Sequence, residues 1–322
     1  MMSGNATPCP KIISLVFTPG TVPTSRFITF LAVISQSMRT AQAKNLKSVI
    51  GDFGASYVRF SYAIPFAWLF IFSYSYLSNQ ILPSINLTFL FWVTIAGITQ
   101  IIFTVLLVTL FSHRSFAAAT AFSKTEVLQA AIFEALIIGY FVSFKIGLAI
   151  ILGVIALFIL SLAKNKMSFL NLINSLFTRQ ALLGLGSGAF LGFCTVAFRA
   201  ATDSLDGTDL LMKATFTGGV SVLIQSILMG IWMLRYTKRE FILSFKEWKK
   251  SYLVGLYGAV STVCWFYAFS ANAVAPVRAL GQLELIIALG ISFFYFKERP
   301  TIREIIAIIL LAISIVMVII FS

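Results

Sequence analysis

Charged residues are scarce in this chain of 322 residues. Asp, Glu, Lys and Arg together make up 11% of the sequence, whereas hydrophobic residues make up 59%. A water-soluble domain usually carries about 25% charged residues. The composition therefore excludes an ordinary soluble domain and predicts an all-α integral membrane protein that crosses the bilayer many times.

Histidine and cysteine are also rare. His113 is the single histidine, and Cys9, Cys194 and Cys264 are scattered without a CxxC pair. These counts exclude a histidine-based metal or catalytic cluster and indicate neither a disulfide framework nor a zinc site. The hydrolase, metalloprotease and P-loop motifs GxSxG, HExxH and GKS/T are missing as well. We therefore expect no enzyme, no catalytic residue, no metal and no cofactor.

Acidic residues are outnumbered, with 11 Asp and Glu against 24 Lys and Arg and a net charge of +13. In a membrane protein, basic residues collect in loops beside the spans, where they set orientation and meet anionic headgroups. We therefore expect the lipid bilayer, and not nucleic acid, as the partner of this charge. Basic residues favour the loops after odd-numbered spans, and the charge rule then places both termini outside the cytoplasm.

Long apolar stretches dominate what is present. A membrane helix needs about 20 mostly apolar residues, and the sequence contains ten candidates, of which the first is interrupted by Gln36, Arg39 and Gln42. The predicted spans are 27–46, 57–77, 87–110, 115–137, 140–162, 181–201, 210–234, 251–270, 275–296 and 303–321.

Three polar segments divide these spans. Residues 1–26 form a polar N-terminal tail whose apolar run is too short for a signal peptide. Residues 164–180, KNKMSFLNLINSLFTRQ, form a linker between two groups of five spans. Residues 235–250, RYTKREFILSFKEWKK, combine charges with Phe and Trp and predict a surface loop or an interfacial helix.

The two groups of spans align with each other. FSHRSFAAATAFSKTEVLQAA, residues 111–131, lies over FSANAVAPVRALGQLELIIAL, residues 269–289, without gaps, and this register pairs Glu126 with Glu284. Each group crosses the membrane an odd number of times, so the second must enter in the opposite sense. The pattern predicts two inverted-topology five-helix repeats, 27–163 and 181–322, which is a frequent plan of secondary transporters.

The same segments resemble a known family. APVRALGQLELIIALGISFFYFKERPTIREIIAIILLAISIVMVI, residues 275–319, resembles the second half of an EamA-type member of the drug/metabolite transporter (DMT) superfamily. Residues 111–133 resemble the corresponding first-half segment, and VRFSYAIPFA, residues 58–67, resembles that family's second span with its basic residue at Arg59.

The resemblance covers residues 27–321 and implies a ten-helix transporter, or permease, of two EamA-like repeats. We expect it in a bacterial cytoplasmic (inner) membrane. In one departure, Tyr140 stands where the repeat register puts the counterpart of Glu298. Members of this family are usually drawn with cytoplasmic termini, whereas the charge rule places the termini outside, so the orientation stays open.

Charged and amide side chains inside the fourth and ninth spans are candidates for a site, because such groups are costly near the bilayer centre. At 100° per residue, Lys124 lies about 160° from Glu126, and Glu284 lies about 120° from Arg278. The candidate substrate-binding or coupling residues are Glu126, Glu284, Arg278, Gln282, Lys124 and Arg59. Either they form buried pairs that fix helix packing, or they line a polar cavity that binds substrate or a proton.

Other charges in the spans have structural interpretations beside functional ones. Arg39, Arg59 and Arg199 either reach an interface or pair with a structural acid, or they form a gate or an anion clamp. Glu134 is predicted to be a packing partner, for instance of Lys124, or an interface residue.

Two functions from different classes remain. The first is a secondary active transporter that moves a small polar or zwitterionic metabolite, such as an amino acid, or an amphipathic drug, by alternating access, with protons as a candidate coupling ion. The alternative is a non-transporting membrane subunit that assembles with a partner protein, in which the charges mark an interface.

Overall fold

The computed structural model describes residues 22–111, 125–164, 179–283 and 301–321. Within these ranges the chain forms eleven helices and no strand. The helices are α1 Val22–Ser61, α2 Ala63–Ser78, α3 Leu87–Phe111, α4 Glu126–Ile137, α5 Phe144–Lys164, α6 Arg179–Asp203, α7 Leu210–Tyr236, α8 Lys238–Lys246, α9 Trp248–Ala271, α10 Val274–Gly281 and α11 Ile302–Phe321.

Several of these helices can cross a membrane. By length and apolar composition, five segments of the described chain suffice for a full crossing: Val49–Ser78, Leu87–Thr104, Leu182–Asp203, Leu210–Tyr236 and Trp248–Ala271. Large apolar side chains also cover the outside of the protein, and Leu136, Phe141 and Phe144 are 77%, 78% and 81% exposed. Such a surface is typical of a protein surrounded by lipid, and the chain is an integral multi-pass membrane protein.

Six predicted spans match a helix closely, because long apolar runs favour one uninterrupted helix. These six are α3, α5, α6, α7, α9 and α11. Of the predicted fourth and ninth spans, the structure describes only 125–137 and 275–283, and the remainder lies outside the described residues. The predicted linker overlaps the described helices only at its edges.

The first two predicted spans differ from the structure. They are not separated by an open loop, since α1 runs for 40 residues through the whole interval with a single break at Gly51, whose φ is 80°. A second interruption at Tyr62 separates α1 from α2. Pro65 explains it, because its ring lacks an N–H and clashes with the carbonyl four residues earlier.

The segment between α7 and α9 is a short helix and not an open loop. Helix α8 packs against α1, where the Glu240 carboxylate accepts a hydrogen bond from the Gly54 N–H at 2.9 Å. The Tyr62 hydroxyl donates to the Ser244 carbonyl at 3.0 Å. Of the two interpretations of residues 235–250, the structure therefore confirms a helix, and its place at the membrane interface stays a prediction.

Helix packing follows a repeated scheme. Three contacts between the two groups of helices each occur twice. The contact of α1 with α9 corresponds to that of α3 with α6. The contact of α2 with α9 corresponds to that of α7 with α3, and the contact of α4 with α6 to that of α10 with α1. Three further contacts join α2 to α7, α4 to α10 and α5 to α11. The main apolar core lies where α6 meets α9, with the Phe198 and Phe266 rings 4.5 Å apart.

Candidate functional site

A buried ion pair joins α4 to α10. The Nη2 atom of Arg278 lies 3.6 Å from Oε2 of Glu126, and both side chains are about nine-tenths buried. Glu126 is the first residue of α4 and lies eleven residues before its end at Ile137. At 1.5 Å per residue that is about 17 Å of helix, about half the thickness of a hydrocarbon core of about 30 Å. Two of the six predicted site residues are thus brought together.

Two aromatic rings on α9 flank the guanidinium of Arg278. It lies 5.6 Å from the ring centre of Trp265 and 6.0 Å from that of Phe269. The two rings are stacked 5.3 Å apart, and the Trp265 indole N–H donates to Oε1 of Gln36 at 2.9 Å. A cation over an aromatic face is stabilised by about 0.5–2 kcal/mol, so the two rings stabilise the buried guanidinium at this place.

The guanidinium retains hydrogen-bonding capacity. Among the described residues, the Nε and Nη2 atoms of Arg278 are buried and have no hydrogen-bond partner. Arginine presents several N–H groups in a fixed fork that matches a carboxylate. The pair with Glu126 therefore leaves donors to which an additional acceptor can bind.

Arg59 lines a neighbouring polar cavity. The cavity has a volume of about 20 Å³ and is lined also by Gln100, Ser221, Gln225 and Thr262. That is room for about one water molecule. The amide of Gln225 donates to Oε1 of Gln100, and the guanidinium of Arg59 lies 5.4 Å from the ring centre of Phe60.

Cys194 on α6 relates this cavity to the ion pair. The buried Cys194 side chain lies within electrostatic range of both Arg59 and Arg278. Arg59 and Arg278 also repel one another. The two arginines, from α1 and α10, therefore face a common region between the two groups of helices.

The remaining predicted site residues are placed differently or lie outside the described residues. Gln282 lines a small, mostly apolar cavity of about 10 Å³ that Val127 and Ser314 also line. The Gln282 amide approaches the carbonyl of Arg278 at 3.5 Å. Lys124 and Glu284 lie outside the described residues, so their part in the site stays a prediction.

A second buried ion pair lies eight residues further along α4. Glu134 is completely buried and pairs with Arg199 on α6. Arg199 also lies 3.6 Å from Asp203 and 5.8 Å from the ring centre of Tyr140. Of the alternatives for Arg199, the structure supports pairing with a structural acid. Glu134 is therefore a packing partner, as predicted, and its partner among the described residues is Arg199; its pairing with Lys124, which lies outside the described residues, stays a prediction.

Close packing of α6 supports α4. A methyl group added at Gly192 would lie 3.0 Å from the carbonyl oxygen of Glu126 and from the backbone nitrogen of Ala130. The small-residue spacing of GLGSGAFLG in the sixth span is typical of such contacts between membrane helices. Gly192 lets the first turn of α4, which carries Glu126, lie directly against α6.

Sequence reasoning missed the aromatic and amide partners of the charges. Trp265 and Phe269 belong to the run CWFYAF, which is indistinguishable from any other apolar stretch of a membrane span. Gln36, Gln100 and Gln225 interrupt apolar runs, and an amide in such a place is a signal that could have been used. Their partners are distant in the chain, and local periodicity does not reveal them.

Comparison with known proteins identifies the second half of the chain. Residues 178–320 match the model of the EamA-like transporter family. This part of the chain is similar to an EamA-like transporter domain. The match confirms the resemblance of residues 275–319 to an EamA-type member of the DMT superfamily. No curated protein matches the sequence.

The fold around the EamA-like half is also shared. A protein of known crystal structure superposes with a TM-score of 0.66 and covers 93% of this chain and 99% of its own. Its sequence identity to this chain is 12%, so the similarity concerns the fold alone.

Proposed function

We propose that this protein is a secondary active transporter, a permease, that moves a small polar or zwitterionic metabolite by alternating access. The observation that carries the proposal is the buried pair Glu126–Arg278, which bridges α4 and α10 and leaves guanidinium donors without partners among the described residues. Ionisable residues inside a membrane protein are rare and often mark a substrate or proton pathway, which supports a functional role for this pair.

The proposed architecture is ten helices in two inverted repeats, 27–163 and 181–322, joined by the linker 164–180. The helix contacts support it, because each span of the first group has a counterpart in the second. When every helix is replaced by its counterpart, the contact α1–α9 becomes α6–α3, α2–α9 becomes α7–α3, and α4–α6 becomes α10–α1. Under this exchange the contacts α2–α7, α4–α10 and α5–α11 map onto themselves. The family match begins at residue 178, close to the proposed start of the second repeat.

The chemistry of the site suits an amino acid. A substrate carboxylate would bind the free donors of Arg278, and a substrate ammonium would bind Glu126 in place of the arginine. The stacked rings of Trp265 and Phe269 would cover the apolar part of the substrate. An amphipathic cationic drug would use Glu126 and the rings but would leave Arg278 without an acceptor.

Alternating access requires that one side closes while the other opens. On the side where α4 and α6 end, the pair Glu134–Arg199 ties the two halves together. A proton that binds to Glu126 would release Arg278, and protons are therefore the proposed coupling ion.

The alternative of a non-transporting subunit requires charges on an exposed interface. Glu126, Glu134 and Arg278 are instead buried within the chain. No observation favours that alternative.

Uptake by liposomes tests the proposal. Purified protein is reconstituted and supplied with a mixture of radiolabelled proteinogenic amino acids, with and without a proton gradient. We expect uptake above that of protein-free liposomes, and a loss of about tenfold or more in Glu126→Gln, as removal of one partner of a buried charge pair predicts.

Glu247→Gln is the matched control, because Glu247 lies between α8 and α9 and its carboxylate pairs with the nearby Lys250 at 2.9 Å, its one ion-pair partner in the described part of the chain. Uptake equal to that of protein-free liposomes, or equal rates in wild type and Glu126→Gln, would contradict the proposal.

A further inference from the structure

Glu134 makes the most extensive buried polar contacts of α4. Its carboxylate accepts the Val274 N–H at 2.8 Å through Oε1 and at 3.0 Å through Oε2. It also accepts the Ala275 N–H at 3.3 Å and pairs with Arg199. One side chain therefore links α4, α6 and α10.

Helix α10 needs such a partner at its start. The first N–H groups of a helix have no acceptor within the helix, and the residue before α10 is Ala273, which has no side-chain cap. Pro276 removes one of these donors, because proline has no N–H. The Glu134 carboxylate satisfies the donors of Val274 and Ala275, and its negative charge also suits the positive end of the helix dipole.

The same two helices meet again at the proposed substrate site. Glu126 and Glu134 lie eight residues apart on α4, about 12 Å along the helix axis. Val274 and Arg278 lie four residues apart on α10, about 6 Å along its axis, and the long arginine side chain covers the remaining distance to Glu126. Helix α4 thus contacts α10 through the helix start and through the ion pair.

We propose that Glu134 is a positioning residue that sets the register of α10 along α4 and so directs Arg278 to Glu126. The inference rests on the proposed function, because that function assigns Arg278 and Glu126 to the substrate site. Arg199 neutralises the buried carboxylate, which would otherwise be strongly destabilising. Arg199 and Gly192 lie seven residues apart on one face of α6, where they support α4 at Glu134 and at Glu126 respectively.

A double-mutant cycle tests the inference without the substrate. The free energy of unfolding of the full-length protein in lipid bicelles is measured for wild type, Glu126→Gln, Arg278→Gln and the double variant, which gives the coupling between the two residues. The cycle is repeated in a Glu134→Gln background. We expect the coupling to fall to less than half of its wild-type value, because α10 loses its register.

The control is the same double-mutant cycle in an Asp209→Asn background. Asp209 is also a carboxylate at a helix start, where it accepts the Met212 N–H at 2.7 Å and the Tyr74 hydroxyl. It caps α7 and not α10, so its variant should lower stability but leave the Glu126–Arg278 coupling unchanged. If the coupling is unchanged in Glu134→Gln, or falls equally in Asp209→Asn, Glu134 has no positioning role.

If Glu134→Gln does not fold, the double-mutant cycle is carried out in a Glu134→Asp background instead. It retains the charge beside Arg199 and withdraws the carboxylate from α10 by one methylene, so the coupling should again fall. An unchanged coupling in Glu134→Asp would overturn the inference. The proposed function is tested by a different result. If Glu126→Gln transports like wild type while Glu134→Gln lowers the coupling, Glu134 is a positioning residue but Glu126 does not belong to the substrate site.

Discussion

A single arginine shows how a charge is kept inside this protein although no described residue forms a tight hydrogen bond with its Nε or Nη2 atom. Arg278 lies 3.6 Å from the carboxylate of Glu126, beyond hydrogen-bonding distance, and two aromatic faces supply part of the stabilisation that water would give. A buried charge is costly unless it is paired. Because this pairing is loose, a ligand carboxylate can replace Glu126 without breaking a strong hydrogen bond.

Replacement of Trp265 tests this account at the residue scale. Trp265→Ala removes the ring beside Arg278 and is expected to lower the free energy of unfolding by about 3–5 kcal/mol. Trp265→Phe keeps a ring there and loses the hydrogen bond to Gln36, for an expected loss of about 1 kcal/mol. Denaturant titration in bicelles measures both.

Trp232→Ala is the control for this series. Trp232 is 39% exposed and contacts Phe53 and Tyr236 near the end of α7, so its removal should cost much less than that of Trp265. Equal losses for Trp265→Ala and Trp232→Ala would contradict a packed aromatic wall beside Arg278.

The sequence indicates which residues are unusual but not which residues meet. Glu126, Arg278 and Arg59 stand out because they are charged within apolar spans. The partners are far away in the chain: Trp265 and Gln36 are 229 residues apart, and Val274 and Glu134 are 140 apart. Helical periodicity fixes only the direction of a side chain from its own helix, and helix packing decides the partner.

At the scale of elements, helix breaks are less predictable than helices. The six spans α3, α5, α6, α7, α9 and α11 follow from their apolar length. The break at Gly51 does not, because it depends on α8: the Glu240 carboxylate occupies the space beside Gly51 and accepts the Gly54 N–H. A helix start in α1 is thus capped from a helix that lies about 190 residues later in the chain.

Gly51→Ala tests the role of this break. The φ of Gly51 is 80°, a left-handed conformation that costs a residue with a Cβ about 1–3 kcal/mol, and the new methyl group would also meet the Glu240 carboxylate. We expect a loss of at least this size in the free energy of unfolding, measured as for Trp265.

Gly147→Ala is the matched control, since an added methyl group there has no neighbour within 4 Å and Gly147 lies inside α5. Helix propensity predicts that this change is neutral or stabilising by up to about 1 kcal/mol. If both substitutions have the same effect, the break at Gly51 is not a strained, glycine-dependent turn.

At the scale of the whole molecule, the two halves differ in sequence but are similar in packing. The family match covers residues 178–320 only, whereas the fold similarity covers 93% of the chain. The paired contacts between the described helices support the proposed inverted repeat, because each of these contacts has a counterpart when the two groups of helices are exchanged. Glu284 is the counterpart of Glu126 in the repeat register but lies outside the described residues, so its place in the site remains a prediction.

The central claim is that the buried pair Glu126–Arg278 between the two halves binds the transported solute. Counterflow into liposomes by wild type, Arg278→Gln and Arg235→Gln tests it most directly, using the amino acid that the wild-type protein carries fastest. Arg235 is an exposed arginine in the last turn of α7, so its variant loses the same charge outside the site. The account predicts a fall of about tenfold or more for Arg278→Gln and a rate near that of wild type for Arg235→Gln. Equal counterflow by wild type and Arg278→Gln would contradict it.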